Sequence, residues 1–247
     1  MTTLPGRIPS LLRSLPAALL LTGLAVALCG CGHFTADSSG IKRKVPEFVP
    51  SNHGGDAKLP AALRRVVLLP LAGGTVASPE SVSALDPVLV SALQLQNRFE
   101  VVPLTREECR RFFETDELPS VSPIPGNFMA VIRREYAADA VLFVDLTVYR
   151  AYHPLSLGFR AKLATVSNAH LVWTFDTIYS ADDPAVVAAA EHYLSNRDQG
   201  SLPAGLSPVV LQSPVRFAAY ATASMFSTLP PINAPAIPDR KDSPKGR

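Results

Sequence analysis

The glycine-containing motifs and the histidines are the first candidates for catalytic, phosphate-binding or metal-binding residues. His53-Gly54-Gly55-Asp56 has the paired glycines of an esterase oxyanion hole, but the sequence has no Gly-x-Ser-x-Gly nucleophile motif that could use them. Leu71-Ala72-Gly73-Gly74 lacks the Gly-x-Gly-x-x-Gly spacing and the P-loop lysine, so we expect a turn there and not a phosphate site. No two histidines stand at metal-ligand spacing; they are His33, His53, His153, His170 and His192. The sequence therefore predicts no enzyme activity, no metal and no cofactor.

The cysteines near the amino terminus indicate covalent lipid attachment. Arg7 and Arg13 precede an almost wholly apolar run over 15–28, which is the order found in a cleavable signal peptide. The run is shorter than the roughly 20 apolar residues of a spanning helix. Leu28-Cys29-Gly30-Cys31 resembles the bacterial lipobox, whose last cysteine receives diacylglycerol. We therefore predict a signal peptide over 1–30 and a lipid on Cys31 that holds the mature chain on a membrane. Cys29 fits the lipobox less well, because bulky Leu28 would precede it at the cut. An uncleaved apolar helix with two incidental cysteines is the alternative, which the length and flanks of the run oppose.

Charge and cysteine content constrain the mature chain. Cleavage after residue 30 removes two of the 23 basic residues and no acid, which leaves 21 basic against 21 acidic residues. This balance argues against a nucleic-acid partner, because such proteins carry a basic surface. With Cys29 removed and Cys31 acylated, Cys109 has no partner for a disulfide. Its helical spacing from Phe112 and Phe113 indicates burial in a core.

Composition divides the chain into four parts. The signal peptide is followed over 31–58 by a polar stretch with glycine, serine and proline, which we interpret as a flexible tether. Residues 229–247 contain five prolines among charged and small residues, so we predict a disordered tail. The segment 59–228 between them has the usual size of one domain with one hydrophobic core.

Within that domain, apolar runs and capping residues predict an element order of βαβααβββαα. The strands are expected at 65–71, 99–103, 140–149, 157–167 and 171–180. The helices are expected to begin at Asp86-Pro87, at the capping box of Thr105 and Glu108, at Asn127, at Asp183-Pro184 and at Ser213-Pro214. This order predicts an α/β fold, with a mixed sheet of about five strands and helices packed on it.

One face of the predicted antiparallel strands is the candidate interaction face. It should carry opposite charges as cross-strand neighbours, together with hydroxyl groups. Its predicted residues are Asp145, Thr147, Tyr149, Arg160, Lys162, Thr174 and Asp176. The face is either a solvated sheet surface with weak ion pairs or a docking surface to which nearby aromatic residues add anchors. Trp173 and Phe159 alternate onto the opposite side, where we expect Trp173 to lie in the core.

Several of these segments resemble one known superfamily. They are 65–71, 87–96, Arg98-Phe99-Glu100-Val101-Val102-Pro103, Ala137-Ala138-Asp139-Ala140-Val141-Leu142 and Leu171-Val172-Trp173. Over about 62–180 they are similar in pattern to the curli-secretion-lipoprotein-like superfamily. It includes the amino-terminal domain of TolB-type translocation proteins, a Pel-type exopolysaccharide-secretion lipoprotein and lipoprotein activators of peptidoglycan synthases. The resemblance implies an α/β fold and a non-enzymatic role in the envelope. The chain has no long alternating hairpin, so we do not expect it to form a pore alone.

These observations predict a lipid-anchored structural or accessory subunit of an outer-membrane assembly, secretion or cell-wall machine. It would bind a protein partner or form a homo-oligomer such as a ring. The resemblance implies anchoring to the outer membrane with the domain facing the periplasm. Gly32 after the lipidated cysteine agrees with this, whereas aspartate there tends to retain lipoproteins at the inner membrane. The alternative is a monomeric solute-binding or sensing lipoprotein, which should have a concave pocket with convergent polar groups.

Overall fold

The computed structural model describes residues 48–197 and 212–232. The predicted signal peptide, Cys31, most of the predicted tether and most of the predicted tail lie outside these residues. The strands of the described part are β1 (His53–Gly55), β2 (Arg65–Leu68), β3 (Glu100–Pro103), β4 (Ala140–Arg150), β5 (Ser156–Thr165) and β6 (Leu171–Ser180). Its helices are α1 (Pro79–Ser83), α2 (Asp86–Gln94), α3 (Arg106–Phe113), α4 (Phe128–Tyr136), α5 (Pro184–Arg197) and α6 (Pro214–Ser227).

The strands form one mixed sheet in the order β1-β6-β5-β4-β2-β3. β2 pairs in parallel with both β3 and β4, because helices connect these strands. β4, β5 and β6 follow one another as antiparallel neighbours through short connections. The predicted α/β fold class, with a mixed sheet and helices packed on it, is confirmed.

Strand β1 differs from the prediction, which assigned its residues to the tether. It pairs antiparallel with β6, so that Gly54 is opposite Thr174 and Gly55 is opposite Trp173. Gly55 has φ +132°, and a Cβ atom there would collide with the backbone oxygen of Val172. Glycine therefore permits the close approach, but it also removes the alternating side chains by which a strand is identified in a sequence.

Two hydrophobic clusters lie on opposite faces of the sheet. The larger cluster packs α2, α5 and α6 against the sheet and contains fully buried Trp173, as predicted. The smaller cluster packs α3 and α4 against β2 and the first half of β4, and it contains fully buried Cys109, also as predicted. The connections that follow β2 and β3 therefore lead to opposite faces of the sheet.

Capping residues set the ends of the helices that flank the sheet. Thr105 and Glu108 form the predicted reciprocal capping box at the start of α3. Glu114 ends α3 and Ala137 ends α4, both in the left-handed conformation. The short helix α1, capped by Ser78, was not predicted, because five residues are too few to show a helical period.

The first residues of the predicted tail pack on the domain, which corrects the boundary at 229. Leu229 is buried, Leu59 N donates to Pro231 O at 2.9 Å, and Arg98 Nη1 donates to Pro230 O at 2.6 Å. No helix in the described ranges is long and apolar enough to cross a membrane.

Candidate interaction face of the sheet

The sheet register brings the predicted charged residues together. Asp145, Arg160 and Asp176 are direct cross-strand partners on β4, β5 and β6. Lys162 is the partner of Thr174 in the next row. Arg160 Nε donates to Asp176 Oδ2 at 2.9 Å, and the two side chains are 34% and 41% exposed. An ion pair this exposed contributes less than about 1 kcal/mol to stability, so its main effect is to hold both side chains in place.

Asp145 is not part of a solvated surface, contrary to the solvated alternative. It is 7% exposed and accepts hydrogen bonds from Ser120 N at 2.8 Å and Ser120 Oγ at 2.6 Å. Lys162 Nζ donates to Ser120 O at 2.9 Å. Ser120 belongs to the α3–α4 loop, residues 114–127, which therefore covers the β4 side of this face.

Tyr149 does not lie on the predicted face, and the cause is a β-bulge. The register shifts between Leu146 and Val148, so that Tyr149 pairs with Leu157 and packs against the larger hydrophobic cluster. An extra residue in one strand reverses the alternation beyond it. Thr147, at the bulge, stays on the face, because a Cβ atom on Gly158 would meet its Oγ1 atom.

The remaining part of this surface is called the open face. Of the described helices, α2, α5 and α6 pack in the larger cluster on the other side of the sheet. Helices α3 and α4 pack over β2 and β4. β5 and β6 are thus left with half-buried side chains on this side. The open face consists of Thr147, Arg160, Lys162, Thr174 and Asp176.

A second polar cluster, which the sequence analysis missed, lies beyond the carboxyl ends of β2 and β3. Arg106 Nε donates to Asp86 Oδ2 at 2.8 Å, and Arg106 Nη2 donates to Leu71 O at 2.8 Å. Leu71 N donates to Asp86 Oδ1 at 2.9 Å. Two helix starts, at Asp86 and Arg106, are thereby joined to the end of β2. Asp86 and Arg106 are twenty residues apart in the sequence, and each also suits the start of a helix, so no local sequence pattern indicated that they form an ion pair.

Glu117 completes this cluster at the glycine turn. Gly73 N and Gly74 N donate to its carboxylate at 3.0 and 2.8 Å, and Arg106 Nη1 lies 3.5 Å from it. Successive backbone N–H groups of this kind form an anion-binding concavity. The turn predicted at Gly73-Gly74 therefore does hold an anion, and that anion is the protein's own carboxylate.

The crevice beside this cluster is small. It measures about 220 Å³ and is lined mainly by proline and aliphatic side chains between α2 and α3, including Pro70, Pro87 and Pro103. Open α/β sheets bind ligands at such a position, outside the strand carboxyl ends. Here the charged groups at its margin, Asp86 and Arg106, already bind each other.

Two groups near α3 have altered proton affinity. Burial raises the pKa of the Cys109 thiol to about 11, which makes it a poor nucleophile at neutral pH. Burial and the neighbouring Glu108 carboxylate raise the pKa of Tyr136 to about 12. Neither group lines either of two crevices formed by the described residues. The same residues contain no group of three side chains that could hold a metal ion.

Several solved structures are similar to this chain. The PelC dodecamer from Paraburkholderia phytofirmans is 14% identical over 69% of this chain and 95% of that chain, with a TM-score of 0.37. Lipoprotein GNA1162 from Neisseria meningitidis is 12% identical over 56% and 99%, with a TM-score of 0.34. The LpoB C-terminal domain from Salmonella enterica is 13% identical over 47% and 82%, with a TM-score of 0.31. Similarity this weak assigns no residue role to the chain. No family model and no curated protein matches it.

Proposed function

We propose that this chain is a lipid-anchored, non-enzymatic accessory or structural subunit of an outer-membrane assembly, secretion or cell-wall machine. Lipid on Cys31 holds it at the outer membrane, the folded domain faces the periplasm, and the open face contacts a protein partner or further copies of the chain. The observation that carries the proposal is the open face, a part of the sheet that the described helices leave uncovered.

The open face suits recognition because its side chains are already held in place. β5 and β6 are ten-residue strands paired along nearly their whole length, and Arg160 is fixed by Asp176. Side chains that are ordered before association lose less conformational entropy when a partner binds. Arginine is also enriched at protein interfaces, where its planar group makes several hydrogen bonds.

The same contacts argue against a reaction centre on this face. A general acid or base must exchange its proton with a bound substrate. The Asp176 carboxylate is held by Arg160, and the Asp145 carboxylate is covered by Ser120. A face whose carboxylates are engaged in this way favours docking over catalysis.

The crevice at the strand carboxyl ends also gives little support to a solute-binding protein. Polar groups that converge on such a crevice would fix a small ligand in orientation. Asp86 and Arg106 bind each other instead, and Glu117 occupies the glycine turn. A solute would have to displace these carboxylates before it could use the same donors.

Light scattering of the mature chain with Cys31→Ser, over a series of concentrations, tests the proposed self-association. A closed oligomer of defined mass is expected, and Thr174→Arg on the open face should dissociate it. Thr75→Arg, at an exposed threonine in the turn after Gly74, is the matched control and should leave the oligomer intact. A monomer at every concentration would contradict self-assembly and favour the solute-binding alternative or a subunit that requires a different partner.

The anchor is tested by mass spectrometry of the protein made in bacteria. The mature protein should begin at Cys31 and carry the added mass of its acyl chains. Cys31→Ser should abolish both processing and acylation, whereas Cys29→Ser, the matched control two residues earlier, should leave both unchanged. Acylation that persists in Cys31→Ser would refute the assignment.

A further inference from the structure

The chain enters the folded domain at one defined end of the sheet. The ring of Phe48 contacts that of Tyr179 with centroids 5.5 Å apart, and Asn52 O accepts a hydrogen bond from Asp176 N at 3.0 Å. Val49 therefore lies between these two contacts, beside the last residues of β6. This is the end at which Arg150 of β4, Ser156 of β5 and Ser180 of β6 form the last paired row.

Large apolar side chains are exposed at the same end. Tyr152 is 84% exposed in the connection from β4 to β5, Val49 is 67% exposed, and Ile178 is 55% exposed. Tyr152 has the highest exposure among the large hydrophobic and aromatic side chains of the described part of the chain. These three residues are called the tether-end patch. Tyrosine is a residue that membrane interfaces favour, because its ring is apolar and its hydroxyl stays hydrated.

The position of the anchor makes a membrane the natural occupant of the patch. Sixteen residues lie between Cys31 and Phe48, so even a fully extended chain places the domain within about 60 Å of the lipid. Lys42-Arg43-Lys44 lies in that interval, and Arg150 is exposed beside the patch. Such cations are attracted to anionic headgroups. Asp176, two residues before Ile178 on the same face, is paired with Arg160, and Asp182 and Asp183 precede α5, which packs on the opposite side of the sheet from Ile178.

We infer that the tether-end patch is a membrane-contact surface: Tyr152, Val49 and Ile178 rest in the interfacial layer of a phospholipid bilayer and orient the domain. The inference rests on the proposed lipid anchor at Cys31, which supplies the attachment, while the patch supplies the orientation. The open face, which lies on the neighbouring rows of β5 and β6, is then accessible to partners anchored in the same bilayer.

Tryptophan fluorescence of the full acylated protein in vesicles tests this inference. The vesicles contain phosphatidylethanolamine and phosphatidylglycerol, with or without bromine atoms on the upper part of the acyl chains. The chain has one tryptophan, Trp173, which is fully buried and provides the background. Tyr152→Trp places a reporter in the patch. Leu95→Trp is the matched control, because Leu95 is 58% exposed at the opposite end, where β2, β3 and β4 begin.

The expected result is quenching by bromine and a blue shift for Tyr152→Trp, with no change beyond the Trp173 background for Leu95→Trp. Equal quenching at the two positions, or none at either, would overturn the inference, because the domain would then have no preferred orientation or no membrane contact. The mass of the same preparation separates this from failure of the anchor. Acylated protein without quenching refutes the patch alone, whereas protein without acyl chains that stays off the vesicles refutes the anchor as well.

Discussion

Replacing Ser120 with alanine tests how the α3–α4 loop is held on the sheet. The substitution removes the 2.6 Å hydrogen bond from Ser120 Oγ to Asp145 and leaves the 2.8 Å bond from the backbone nitrogen. A hydrogen bond to a charged group contributes about 1.5–3 kcal/mol net, and Asp145 is too buried for water to replace the hydroxyl freely. We expect the free energy of unfolding to fall by about 2 kcal/mol. For a domain of this size, that lowers Tm by about 4–8 °C.

The assay is thermal and urea unfolding of the mature Cys31→Ser chain, followed by circular dichroism. Ser122→Ala is the matched control, because Ser122 is exposed in the same loop and its side chain has no hydrogen bond among those described. A double-mutant cycle with Asp145→Ala, which removes both acceptor oxygens, should return a coupling energy of similar size to the Ser120→Ala loss. If Ser120→Ala unfolds within about 0.5 kcal/mol of the control, Asp145 does not hold the loop and the reasoning fails.

Three further predictions concern the capping box, the buried thiol and the glycine strand. The backbone hydrogen bond from Thr105 lowers the pKa of Glu108. The wild-type chain should therefore have a larger free energy of unfolding than Glu108→Gln at pH 7, and this difference should disappear as the pH falls below about 4.5. A difference that persists in acid would refute this. Cys109, with its pKa near 11, should react with a thiol reagent at pH 8 only at the rate of unfolding in the Cys31→Ser mature chain, and fast labelling of the folded protein would show that it is accessible. Gly55→Ala should lower the free energy of unfolding by about 1–3 kcal/mol more than Gly54→Ala. The reason is that φ at Gly55 is +132° and a Cβ atom there would collide with the backbone, whereas a Cβ atom on Gly54 would lie 3.7 Å from its nearest neighbour. Equal unfolding midpoints for the two variants would contradict this.

Elements with a local signal were predictable from the sequence. The capping box of Thr105 and Glu108 fixes the start of α3, and the apolar run at Arg65–Leu68 forms the buried strand at the centre of the parallel pairing. The cross-strand row of Asp145, Arg160 and Asp176 was also predictable, because strand alternation and one tight turn set its register. Each of these features depends on residues close in sequence or on a period that side chains display.

The features that were missed lack such a signal. β1 contains two glycines in three residues, so it has no alternation to detect. The bulge before Tyr149 changes the backbone without changing the pattern of residue types, and it moves that ring to the core side. The loop with Ser120 is broken by prolines, so its contact with Asp145, 25 residues away, follows only from the tertiary fold.

The contacts of the α3–α4 loop support the proposal that recognition uses the sheet surface and not a pocket. Its Glu117 fills the glycine turn at the strand carboxyl ends, where an α/β sheet would otherwise bind an anionic ligand. Three residues later its Ser120 covers Asp145, the most buried charge on the candidate face. The glycine turn binds the Glu117 carboxylate and Ser120 binds the Asp145 carboxylate, so neither remains available to a small substrate. The polar side chains of β5 and β6 are the groups on that side of the described sheet that a partner can still reach, which is why Thr174→Arg is the substitution expected to separate association from folding.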